Sequence, residues 1–276
     1  MGIIIAGLEK QAQLKYNYSM TDNEKTISLG KKIFFLHPSA FTQNQLISEL
    51  AQEEFEVYVI KDEYKLLRAL EEYPDSVLFA SVNEVIKENA WEDLIKRIQG
   101  NPANASVDIG IIASIEEENI KKKYLEQLKV RCGYTVVKQD PEVALKQLTI
   151  NLNSVDAKGR RKYIRVIMGN EANATVNFSI NGNYINGTIK DLSVVGFSCS
   201  FVEDPKLTKN GLFPDIQLKL QSQLLKVEGI VFGSRMDGPE KVYVILFSQR
   251  VDPDTRSRIR KYIQTNLQNR MDQKLK

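Results

Sequence analysis

The chain has 276 residues, 42% of them hydrophobic and 26% charged, with a net charge of +3. That length suits two domains, each with enough apolar residues to bury a core, and the near balance of charge excludes a chain that coats DNA or RNA by electrostatics alone. One His and two Cys leave no zinc or iron constellation, and no GxSxG elbow, Walker glycine loop, HExxH helix or two-metal carboxylate cluster is present, so the chain is predicted not to be an enzyme and to need no cofactor.

In chain order, Met1 to Leu8 is apolar, but Glu9 and Lys10 end the run well short of a membrane span or a signal-peptide core. The protein is therefore predicted to be cytoplasmic with no membrane insertion, and residues 1–30, which have no sustained period, to be a loose tail. From Lys31 to Leu152, short apolar runs alternate with amphipathic stretches. Ile33 to Leu36, Phe55 to Ile60, Ser76 to Ala80, Asp108 to Ala113 and Gly133 to Val137 read as strands. Gln43 to Gln52, Glu63 to Glu72, Val85 to Ile98 and Glu116 to Leu128 have helical spacing, and Asp140-Pro141 opens a fifth helix. Five successive βα units predict a parallel sheet covered on both faces, in a domain spanning 31–152. Cys132 and Cys199 read as reduced, buried small residues, and Trp91 as a core or domain-contact anchor.

Pro74-Asp75-Ser76-Val77-Leu78-Phe79-Ala80 and Tyr134-Thr135-Val136-Val137-Lys138 resemble the third and fifth strands of the receiver domains of two-component response regulators. The resemblance implies a flavodoxin-like fold. It fails at the chemistry: the phosphoacceptor Asp falls at Ala80, and the acidic pair that holds Mg²⁺ falls near His37 and Pro38, which offer no hard oxygen ligands. Ser114 and Lys138 keep the hydroxyl and ammonium positions with nothing to act on. The domain is read as a pseudo-receiver that works through protein contacts, with a homodimer among them.

Residues 153–160 are predicted to be a linker, with Asn153, Ser154 and Asp156 breaking the helical pattern. Beyond it, over 161–276, the pattern turns to β. Thr175 to Ile180 and Tyr184 to Lys190 form a hairpin about Asn181-Gly182-Asn183; Phe197 to Phe201, Asp215 to Leu220, Leu224 to Phe232 and Lys241 to Phe247 add strands. Asp252-Pro253 starts a helix with Ile259, Ile263 and Leu267 as its apolar stripe, and Arg256, Arg258, Arg260 and Lys261 read as its solvated face. A small antiparallel barrel closed by a C-terminal helix is predicted.

Two clusters here carry chemistry. Arg161 and Arg165 lie four residues apart, which aims both guanidinium groups the same way in a strand or a helix. Each fork can bond a phosphate or the N7/O6 edge of guanine bidentately. Asp191 and Ser193 lie two apart at a strand end and share a face; a carboxylate there suits the N1–H and N2–H donors of guanine, and Gly196 suits a turn needing positive φ or close backbone approach to a ligand. The pair RxxxR and DxSxxG resembles the signature of the PilZ domain family, complete at Arg161, Arg165, Asp191, Ser193 and Gly196. The resemblance implies binding of the second messenger cyclic di-GMP, with Arg160 as a further contact bearing on whether one or two nucleotides are held. It also implies a receptor role in motility or biofilm regulation. Because the arginine cluster follows the linker directly, ordering of this segment by a ligand is expected to reorient the domains and pass the signal to a protein partner, with a non-binding scaffold or a response-regulator-like protein as alternatives.

Overall fold

A computed structural model of the chain describes residues 30–82, 88–137, 140–168, 174–180 and 182–276. The expected tail, the first residues of the Val85 helix, Lys138 and Asn181 of the hairpin turn lie outside them.

The first half is a doubly wound α/β layer. Strands β1 (Lys32–Leu36), β2 (Val57–Ile60), β3 (Ser76–Val82), β4 (Asp108–Ala113) and β5 (Tyr134–Val136) form one parallel sheet in the order β2-β1-β3-β4-β5. The strand period of two divides its side chains between two cores. Phe34, Leu36, Leu78 and Ile111 meet Leu66 and Leu70 of α2 (Glu63–Glu72) and Trp91 and Ile95 of α3 (Glu88–Gly100) on one face. Ile33, Phe35, Val77 and Phe79 meet Leu50 of α1 (Ser48–Gln52) and Leu148 of α5 (Pro141–Ser154) on the other. Asp62 and Asp140 cap α2 and α5 by accepting from Lys65 N–H at 2.8 Å and Glu142 N–H at 2.9 Å.

Several elements differ in extent from the sequence reading. Residues Thr42–Ile47 form a π-helical turn before α1, and α4 (Glu118–Lys122) passes into another at Lys123–Gln127. Phe55 is not in β2 but buried beneath it, after the α1 terminus. Helix α5 continues through Ser154 into the segment expected as linker, because Asn151 is buried and donates to the Thr135 hydroxyl at 3.1 Å. The chain then turns at Asp156 (φ 52), and the Ala157 carbonyl accepts from Lys31 N–H at 2.8 Å, so this stretch is tied down beside β1.

The second half is a closed antiparallel barrel of six strands: β7 (Ala174–Ile180), β8 (Asn183–Ser193), β9 (Gly196–Phe201), β10 (Leu212–Leu220), β11 (Gln223–Asp237) and β12 (Glu240–Phe247). A short strand not expected from sequence, β6 (Arg165–Ile167), adds to the end of β8. Phe178, Phe197, Val176 and Ile245 fill the interior.

Helix α6 (Pro253–Lys274), capped by Asp252 on Thr255 N–H at 2.8 Å, belongs to both cores. Ile259, Tyr262 and Ile263 pack into the barrel, whereas Met271 and the following Leu275 pack into the α/β core. Between them Gln268 accepts from Val59 N–H at 2.9 Å and donates to Val59 C=O at 3.0 Å, so α6 covers the free edge of the sheet at β2. None of the described helices is long and apolar enough to cross a membrane.

Candidate functional site

The two sequence clusters meet where β6 joins β8. Register places Arg165 opposite Ser193 and Ile167 opposite Asp191. Arg165 Nη1 lies 3.9 Å from Asp191 Oδ1, with the Arg side chain 38% exposed, so a cation and an acceptor stand together on an accessible face.

The remaining members of the second cluster serve the turn between β8 and β9. Ser193 is buried; its hydroxyl donates to the Gly196 carbonyl at 3.0 Å and accepts from Val195 N–H at 3.4 Å. Arg256 of α6 fastens the same turn by donating to the Val194 carbonyl at 3.0 Å, and it also donates to Ser248 and Val251 carbonyls. Gly196 does not have positive φ. Its requirement is close approach to backbone: a Cβ there would lie 2.2 Å from the Ile245 carbonyl oxygen of β12. Behind Asp191, the buried Ser198 of β9 donates its hydroxyl to the Asp191 carboxylate. Sequence reading passed over Ser198, because only the β8–β9 register shows that it faces Asp191.

Arg160 and Arg161 do not contact this pair. With Lys162 they are exposed and line a cleft of about 410 Å³ between the domains. Its other lining residues include Gln52 at the end of α1, Glu53 and Glu54 after it, and Lys158 and Arg260. Glu54 is the acidic contact between the walls: its carboxylate accepts from Ile164 N–H at 3.0 Å and pairs with Arg260 at 3.4 Å. Burial pushes its pKa up, against the opposing pull of the Ile164 N–H and Arg260. Arg256 and Arg260 thus depart from the solvated face expected of α6: one is spent on carbonyls and the other is 26% exposed and ion-paired. Neither role has a local sequence signal, since both depend on what packs beside the helix.

Elsewhere, Cys132 and Cys199 are buried free thiols 
whose pKa values burial raises, in Cys132 to about 12. Trp91 is fully buried in the α/β core, as a packing anchor would be. Ala80 is fully buried opposite Leu36, and His37 follows β1 with φ 47. Among the described residues there is no group of three or more His, Cys, Asp or Glu placed to hold a metal ion.

Residues 159–265 match the family model of the PilZ domain. This segment is a PilZ domain. The match begins at Gly159, taking in the whole arginine cluster, and ends at Thr265, before the Met271 and Leu275 part of α6 that packs into the α/β core. Similar solved structures include YcgR in complex with c-di-GMP from Escherichia coli (16% identity, 42% of this chain and 48% of that chain, TM-score 0.36). A K. pneumonia MrkH–c-di-GMP complex is 20% identical over 42% of this chain and 55% of that one, with TM-score 0.36. The Mn²⁺-bound response regulator Rcp1 is 16% identical over 44% of this chain and 92% of that one, with TM-score 0.36. The chain spans about half the length of the first of these structures, at 48%. No curated protein matches it.

Proposed function

We propose that the chain is a non-enzymatic cyclic di-GMP receptor whose PilZ domain holds the nucleotide and whose α/β domain carries the signal to a protein partner. The observation that carries this reading is the meeting of Arg165 and Asp191, 3.9 Å apart with Arg165 exposed, four residues on from Arg161 of the cleft. In this reading Arg161 and Arg165 take phosphate oxygens or the N7/O6 edge of guanine through charge-assisted forks, with Arg160 as a further contact. The Asp191 carboxylate accepts from guanine N1–H and N2–H. Ser193 and Gly196 act by fixing the turn that presents Asp191, since the Ser193 hydroxyl is engaged within that turn.

Transmission follows from connectivity. The arginine segment leads out of α5 and touches the α/β domain through Glu54, while α6 is built into both cores. Ordering of the arginine segment around a ligand therefore bears on how the two domains sit.

Equilibrium titration of cyclic di-GMP by calorimetry tests the site. Loss of a charge-assisted partner costs about 1.5–3 kcal/mol, so Arg161→Ala, Arg165→Ala and Asp191→Ala each weaken binding roughly tenfold to a hundredfold or more. No binding by the wild type removes the reading. Scattering profiles that superimpose with and without saturating ligand remove the reorientation step alone.

A further inference from the structure

We infer that Glu54 is the resident anion of the arginine cleft: from the α/β domain its carboxylate holds donors that a nucleotide phosphate would take, and ligand entry displaces it. This rests on the receptor reading above and adds an element of the site that lies outside the PilZ domain, whose match begins at Gly159.

The donors around Glu54 form a phosphate-type set. A backbone N–H, from Ile164, and a guanidinium, from Arg260, converge on it at 3.0 and 3.4 Å. The ammonium of Lys158 adds a second positive charge to its surroundings. Arg260 is incompletely used by this contact, because its Nε is buried and makes no hydrogen bond. A phosphate, with more acceptor oxygens than a carboxylate, can engage a guanidinium fork bidentately.

The backbone gives an independent indication. Glu54 lies just past the end of α1 in the left-handed region, φ 66, with its N–H on the Ala51 carbonyl at 3.2 Å and the Phe55 N–H on the Leu50 carbonyl at 3.0 Å. That position favours Gly or Asn, and any other side chain is strained there. The turn itself gains nothing from a glutamate. What the residue adds is a carboxylate, 11% exposed, aimed at the arginine segment.

The consequence is competition. A phosphate that takes the Ile164 N–H must dislodge Glu54, which also severs the hydrogen bond joining the arginine segment to the α/β domain. The apparent affinity is then lowered by the fraction of molecules in which Glu54 has left.

Calorimetric titration of cyclic di-GMP into the full chain tests this with the wild type, Glu54→Gln, Glu54→Gly and Arg161→Ala. The Gln variant keeps an acceptor for Ile164 N–H without the charge, and the Gly variant relieves the backbone and so is safe for folding. Either one binding about tenfold tighter than the wild type is the expected result. Tight binding by a Glu54 variant when the wild type binds too weakly to measure supports the inference equally. Wild-type binding that is lost in Arg161→Ala but unchanged or weaker in both Glu54 variants overturns the inference and leaves the receptor reading standing. Binding by none of the four proteins overturns both.

Discussion

Substituting Gly196 by Ala isolates the packing requirement of the signature glycine. The added Cβ would lie 2.2 Å from the Ile245 carbonyl oxygen and 3.1 Å from Leu246 Cα. A close but tolerated C···O contact is about 3.3 Å, so the two strands must part by roughly 1 Å. In a closed barrel neither has a free edge along which to yield: β9 is paired with β8 on one side and β12 on the other. Overpacking of this kind costs about 2–3 kcal/mol. At about 2–4 °C per kcal/mol for a chain of this size, the thermal midpoint should fall by roughly 5–10 °C. The control is Gly233→Ala in β11, whose Cβ would meet nothing within 4 Å and whose φ is not positive. It should stay within about 0.5 kcal/mol of the wild type. The assay is thermal unfolding followed by circular dichroism without ligand. Equal midpoints for the two variants would refute the reasoning and return the role of Gly196 to ligand contact.

Ser198→Ala removes the hydroxyl that steadies Asp191 and should weaken cyclic di-GMP binding several-fold, with stability lowered by about 1 kcal/mol; affinity unchanged in calorimetry would show that Asp191 needs no such support. Met271→Ala opens a cavity at a residue of the PilZ-side helix that belongs to the α/β core. It should cost about 2–5 kcal/mol, with hydrogen exchange rising first in β2 and α2 rather than in the barrel. Asp204 is held down at about pKa 2 by the Tyr243 hydroxyl, the Lys206 N–H and Lys241. A carboxylate depressed in the folded state binds fewer protons there than in the unfolded chain, so its stabilisation is present above its unfolded value near 4 and is lost as pH falls toward 2. The stability difference between the wild type and Asp204→Asn should accordingly shrink across that window in urea titrations, and a constant difference would contradict it.

Patterns that depend on neighbours in sequence were legible without the structure. The short apolar runs of β1 and β3, buried almost end to end, the Asp-Pro helix starts at Asp140 and Asp252, and the turn residues between β7 and β8 each encode a local preference, and their order alone implies a parallel α/β layer followed by a barrel. The RxxxR and DxSxxG clusters were likewise visible as residue types at fixed spacing, but the expected common aim of Arg161 and Arg165 did not follow, because residues 161–164 lie in no regular element and only Arg165 joins a strand. Strand β6 was not: three residues with one buried side chain carry no period, and they become a strand only because the end of β8 offers a ladder to join.

The amino-acid sequence by itself therefore determined the kind of elements, their order and the residue types that could hold a guanine nucleotide. Only the tertiary structure decided which of those residues meet. Arg165 reaches Asp191 while Arg161 turns to a cleft walled by Glu54, more than a hundred residues earlier in the chain. It also decided that Arg256 is spent on backbone carbonyls, that Arg260 pairs with Glu54, and that one helix serves two cores. The physical reason is the same in each case: a side chain's role here is set by the charge and backbone groups that long-range packing places within hydrogen-bond reach, and no local period records them.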